Sequence, residues 1–160
     1  SILIDDNLTT TVSKHFAKYD PTYAYWPLEL HLLAYMEEKQ LNSVSAYSID
    51  LLVSEVVSSN KFYKVFNKVQ EFVTEGKQIL QRYVNKDKKD IVSSVFSNYK
   101  TWDVFSLSIV FLQYFTKIHK HISNKRNPFL TNFFQLLVQT IHINPNKRLT
   151  NQQTLQTYGT

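Results

Sequence analysis

The segment Tyr19 to Leu30, "YDPTYAYWPLEL", packs aromatic rings and two prolines around a single glutamate, Glu29. Tyr25, Trp26 and Pro27 are its densest part. Rings and prolines so close together suit a rigid loop that ends against the body of a protein. A glutamate placed directly after such a loop needs a partner once buried, because an unpaired buried charge is costly. Other residue types narrow the chemistry by exclusion. The chain has no cysteine, which rules out a disulfide, a zinc–thiolate site and a cysteine nucleophile, and is compatible with a reducing, intracellular compartment. Its two glycines, Gly76 and Gly159, are too few for a glycine-rich phosphate loop, whose backbone must approach the phosphate closely. His119 and His121 in "HKH" would point to different faces of a helix, a poor arrangement for holding a metal. His15, His31 and His142 stand alone and read as packing or surface histidines.

The elements that must position these residues are mainly helical. In 160 residues, 43% hydrophobic and 14% aromatic composition predicts one folded domain with a real core. The net charge of +5 is dispersed, with modest clusters at Lys86, Lys88 and Lys89 and from Lys117 to Arg126, so solvated lysine faces are the reading and a nucleic-acid partner is not expected. No apolar run reaches the roughly 18 residues of a membrane span. The opening "SILIDD" has no Met and carries the apolar triplet Ile2-Leu3-Ile4, so it reads as the interior of a longer polypeptide and as a short β element ending in a turn. Residues 8–25 read as a long ordered loop. Helical spacing starts near Leu28, and again after Ser48 or Asp50 as N-cap. Phe62, Val65, Phe66, Val69, Phe72, Val73, Leu80 and Tyr83 recur at helical steps and predict one amphipathic stripe, with Gly76 on it as a mark of close backbone approach. That stripe is either core or, if left uncovered, a partner-binding face. A shorter helix is expected from Asp90 to Asn98. From Val104 to Phe115 apolar residues surround the helix, which predicts a central, buried helix. Pro128 opens the next helix, "NPNKRLT" closes it, and Thr150 with Gln153 matches a capping box ahead of a last short helix.

Three anchors stand in a definite order: a strand running into Asp5, a loop ending in "WPLE", and a helix opening with "WDVFSLS" that is followed downstream by "NPNKRLT". This order resembles the C-terminal lobe of eukaryotic-type serine/threonine protein kinases, in a divergent form that looks most like those of large DNA viruses. The resemblance places Asp5 at the family's metal-binding aspartate, with Asp6 and Asn7 replacing the usual Phe-Gly. Pro27 and Glu29 match the end of Ala-Pro-Glu, with Leu28 inserted between them. Asp103 matches the aspartate that anchors the catalytic loop, and Phe105, Ser106 and Ser108 stand for the Trp, Ser and Gly of that motif. Pro145, Arg148 and Thr150 match the late loop, with Asn144 where Asp is common. Residues 48–98 make the Glu29 to Asp103 connection several-fold longer than the family's and read as a helical insertion.

The resemblance implies a single kinase-like domain over residues 1–160: strand and activation-segment-like loop over 1–30, the insertion over 48–98, and the central and late helices over 101–160. It implies a buried ion pair between Glu29 and Arg148, a magnesium ligand at Asp5, and substrate positioning by Tyr25, Trp26 and Pro27. Thr9, Thr10, Thr11 and Tyr19 fall where activation segments carry regulatory hydroxyls. The glycine-rich loop, the strand lysine and the catalytic loop that phosphoryl transfer requires are not in this sequence and would precede Ser1. ATP and magnesium are therefore expected only if an upstream N-lobe and catalytic loop exist. The alternative is an inactive kinase-like scaffold or virion-associated component, with the insertion as docking surface for protein partners.

Overall fold

The computed structural model describes residues 10, 12–65, 68–119 and 128–158. The expected strand at Ile2 to Ile4, with Asp5, Asp6, Asn7, Thr9, Thr11 and His121, lies outside the described residues. The fold is mainly helical. Residues 12–15 form a helical turn inside what the sequence predicts as loop. Helix α1 (Leu28–Glu38) then starts at Pro27, whose extended backbone (φ −67°, ψ 161°) ends the loop and whose carbonyl accepts from the Leu30 and His31 amides. It stops where Gln40 turns to φ 53° and Leu41 N–H donates back to the Met36 carbonyl at 2.9 Å.

Helix α2 (Ala46–Ser59) is capped by Ser45, whose hydroxyl accepts from the Ser48 amide at 3.1 Å. The cap thus precedes the Ser48 or Asp50 of the sequence reading, because Ser48 is the residue being capped. The long stripe predicted over Phe62 to Tyr83 is not one helix. It divides into α3 (Lys61–Val65), α4 (Val69–Leu80) and a 3₁₀ turn at Gln81–Tyr83. Its described members are covered: Phe62, Leu80 and Tyr83 are buried, and Val69, Phe72 and Val73 pack against the core. Gly76 marks where α4 crosses α1 and α2. A Cβ there would meet Leu28 Cδ2 and Val53 Cγ1 at 2.9 Å and Ile143 Cδ1 at 3.2 Å.

Helix α5 (Lys88–Phe96) follows a parallel bridge between Val44 and Val84. Helix α6 (Trp102–His119) follows a 3₁₀ turn at Tyr99–Thr101. Helix α7 (Pro128–Thr140) begins on its proline. Asn144 then caps a 3₁₀ turn at Pro145–Lys147, accepting from the Asn146 amide. Helix α8 (Asn151–Tyr158) opens on the predicted box: Gln153 Oε1 accepts from the Thr150 amide, and Thr150 Oγ1 from the Gln153 amide.

The buried axis of the fold is α1, not α6. Every residue from Leu28 to Ala34 is buried. On α6, Phe105, Ser108, Ile109 and Leu112 turn inward, but Leu107, Val110, Phe111 and Tyr114 are 56, 48, 40 and 63% exposed. An apolar composition all round a helix therefore marks two apolar faces here, of which the fold covers one. One core cluster runs from Val12 to Ile143 and includes Ile49, Leu52, Val53, Leu80, Tyr83, Ile91 and Val95. Residues 48–98 thus share a single core with the helices on either side in sequence. Among the described residues, no helix is long and apolar enough to cross a membrane.

Candidate functional site

Glu29 lies in the first turn of α1, where a carboxylate suits the helix dipole. Arg148 follows the 3₁₀ turn that Asn144 caps. The fold brings them together across 119 residues of sequence: Arg148 Nη2 donates to Glu29 Oε1 at 2.5 Å. Their side chains are 0 and 1% exposed, so the pair is removed from water. The guanidinium also sits over the Phe105 ring, its Cζ 5.4 Å from the centroid, which ties α6 to the same point. Arg148 Nε and Nη1 are buried without a hydrogen-bond partner among the described residues. Tyr63 is buried close enough to feel both charges, and burial, more than either charge, pushes its hydroxyl pKa up.

This node pins the ring-rich loop. Tyr25 is held twice by α6: its carbonyl accepts from Ser106 Oγ at 2.8 Å, and its hydroxyl donates to Gln113 Oε1 at 3.1 Å. Trp26 meets Phe16, Tyr23 and His31 edge-on, with centroids 5.0 to 5.8 Å apart. Pro27 is buried and supplies the first carbonyl of α1. Tyr25, Trp26 and Pro27 are thus brought together with Glu29 and Arg148, whereas Asp103 is not. It is exposed in the first turn of α6, and no ion-pair partner for it exists among the described residues.

The contacts of two participants were not legible from spacing. His31 is fully buried inside the ring cluster, between Tyr19 and Trp26. Burial lowers its pKa to about 4; the Tyr23 and Trp26 backbones and Asp20 offset part of that, without hydrogen-bond geometry to either ring nitrogen. Tyr19 is not a free loop hydroxyl. It donates to Glu55 Oε2 at 3.1 Å while its amide donates to Glu38 Oε2 at 2.9 Å, and burial followed by the Glu55 charge raises its pKa. A histidine three residues into a helix that is buried all round was the available signal for the first. The second needed the α1–α2 packing.

His142 and Glu75 approach at 3.8 Å, with Lys147 Nζ 3.6 Å from the same Glu75 oxygen. His142 Nδ1 accepts from the Asn144 amide at 3.0 Å, so that nitrogen carries no proton and the approach to Glu75 is not an ion pair. Partial burial lowers the His142 pKa, in keeping with the neutral ring.

A cleft of about 290 Å³ opens between α6, α7 and α8, with Leu107, Phe111, Leu136 and Leu155 among its walls. The buried Ser108 and Thr140 hydroxyls, 2.6 Å apart, line it too. Among the described residues, no cluster of three or more His, Asp or Glu side chains is arranged to hold a metal ion. Chemically, the Glu29–Arg148 node fixes a loop; it presents no free nucleophile or base. No protein-family model matches the chain, and no curated protein or solved structure matches it.

Proposed function

We propose that the chain is the C-terminal lobe of a serine/threonine protein kinase-like protein, holding the substrate-facing loop of an enzyme that transfers phosphate from ATP to protein. The observation that carries this reading is the buried Glu29–Arg148 pair, which ties the end of the "YDPTYAYWPLEL" loop to the "NPNKRLT" loop. A charge pair so far from water is an expensive way to join two segments, and a loop that must present a substrate in fixed register is a reason to retain it. Ser106 and Phe105, at the kinase-motif positions of α6, contact the same loop and the same arginine. In this reading Asp5 contributes to magnesium binding, Asp103 anchors the catalytic loop, and Tyr25, Trp26 and Pro27 position the substrate backbone. ATP phosphates and the catalytic base belong to an N-lobe and catalytic loop outside this sequence. The test is phosphate transfer from labelled ATP to a mixed protein substrate by the product of the complete reading frame that contains this chain. Incorporation on serine or threonine supports the reading, and no incorporation removes it.

A second reading is an inactive kinase-like scaffold acting through protein–protein contacts. Two observations favour it. Asp6 and Asn7 replace the Phe that packs the lobe and the Gly that lets the segment swing. Helix α6 also presents an uncovered apolar face. A product of the complete reading frame that neither binds ATP nor transfers phosphate supports this alternative.

A further inference from the structure

The face of α6 that the fold leaves open has an ordered charge pattern. At 3.6 residues per turn, Asp103, Leu107, Val110, Tyr114 and Lys117 fall within an arc of about 80°. All five are exposed. The two charges stand at opposite ends of the stripe, about 21 Å apart along the axis at about 1.5 Å per residue. Neither has an ion-pair partner among the described residues. The three residues between them are apolar or aromatic, and Phe111 flanks them at the edge of the cleft.

We propose that this face pairs with a second copy of the chain, α6 against α6, antiparallel about a two-fold axis at Val110. The proposal rests on the scaffold reading, in which Asp103 anchors no catalytic loop and stays exposed, and it names that reading's partner. Charge complementarity selects the occupant. An antiparallel two-fold sets Asp103 of each copy against Lys117 of the partner subunit and Leu107 within one residue's rise, about 1.5 Å, of Tyr114 of the partner subunit, with Val110 meeting its own counterpart. The parallel arrangement would set carboxylate against carboxylate and ammonium against ammonium. Antiparallel helices also oppose their dipoles favourably. A contact of one helix face per copy is small, so the pairing is weak and reversible, with a dissociation constant on the order of 10 µM.

Sedimentation velocity of the 160-residue chain from about 1 to 100 µM tests the pairing. The wild-type chain is expected to shift reversibly from monomer to dimer. Asp103→Lys opposes like charges at both ends and should weaken the dimer about tenfold. Adding Lys117→Asp in the same chain restores the pairing and should return the affinity to within about threefold of wild type. Val110→Glu brings two carboxylates together at the axis and should abolish the dimer, with far-UV circular dichroism showing that the chain remains folded. A monomer at all concentrations overturns the proposal. So does a double reversal no tighter than Asp103→Lys alone, or a Val110→Glu chain that dimerises like wild type. The scaffold reading itself fails separately, if the complete reading frame transfers phosphate.

Discussion

Replacing Glu29 by Gln removes one charge and little else. The amide keeps the shape of the side chain, but it leaves the Arg148 guanidinium buried at 0% exposure with no counter-charge. Breaking one side of a buried pair costs about 3–5 kcal/mol, since the remaining charge can neither return to water nor find a partner. Arg148 Nε and Nη1 have no other hydrogen-bond partner among the described residues to take up the loss. The Phe105 ring, 5.4 Å from Cζ, still favours the cation. That contact is the same before and after the substitution, but the amide oxygen still accepts from Arg148 Nη2, so the lower end, about 3 kcal/mol, is expected. For a chain of this size, this is a fall of about 6–12 °C in Tm. The double variant Glu29→Met with Arg148→Met leaves no buried charge and should recover most of the loss. Urea unfolding followed by the fluorescence of Trp26 and Trp102 and by far-UV circular dichroism measures both, with an unchanged slope as the check on two-state behaviour. A Glu29→Gln loss below about 1 kcal/mol, or a double variant worse than the single, would refute the reasoning.

Gly76→Ala gains about 1 kcal/mol of helix propensity, but its Cβ would enter the 2.9 Å contacts with Leu28 and Val53, and crowding of that kind costs about 1–3 kcal/mol. A net loss in urea unfolding is expected, and a more stable variant would show that α1 and α2 can yield. His31 is held neutral by the fold, with its pKa lowered from 6.5 to about 4, so the unfolded chain binds more protons across that window. Its contribution is therefore fully present above pH 6.5, falls with pH and is lost below pH 4, amounting to about 3 kcal/mol at 1.36 per pKa unit. His31→Phe should flatten the stability–pH curve between those limits, and an unchanged slope would place the acid sensitivity elsewhere. Tyr19→Phe deletes the hydroxyl that donates to Glu55 and should cost about 1 kcal/mol in chemical denaturation. No change would mean that this partly exposed bond is matched by water.

The sequence carried the local punctuation well. Pro27, Pro128 and the Thr150/Gln153 box stand at the ends of helices because their chemistry acts over a few residues. Gly76 on an apolar stripe pointed to the close crossing that the α4–α1 contact shows. The contact between Glu29 and Arg148 followed from the order of motifs and not from any local pattern. What periodicity could not supply was which apolar face meets another element. Helix α6 read as buried because apolar residues surround it, yet coverage depends on neighbours 30 or more residues away, and Leu107, Val110 and Tyr114 are left open. Conversely α1 showed only helical spacing from Leu28, and it is enclosed. The ring cluster around His31 depends on a loop folding back on α1, which spacing along the chain does not encode.

The most direct test of the kinase-like reading is the effect of Asp5→Asn on phosphate transfer by the product of the complete reading frame, measured with labelled ATP and magnesium. A metal-ligating carboxylate at the transferred phosphate is worth at least about a hundredfold in rate, so transfer by the wild type and its near-complete loss in the variant are predicted. Equal rates in the two proteins, or no transfer by either, would contradict the account.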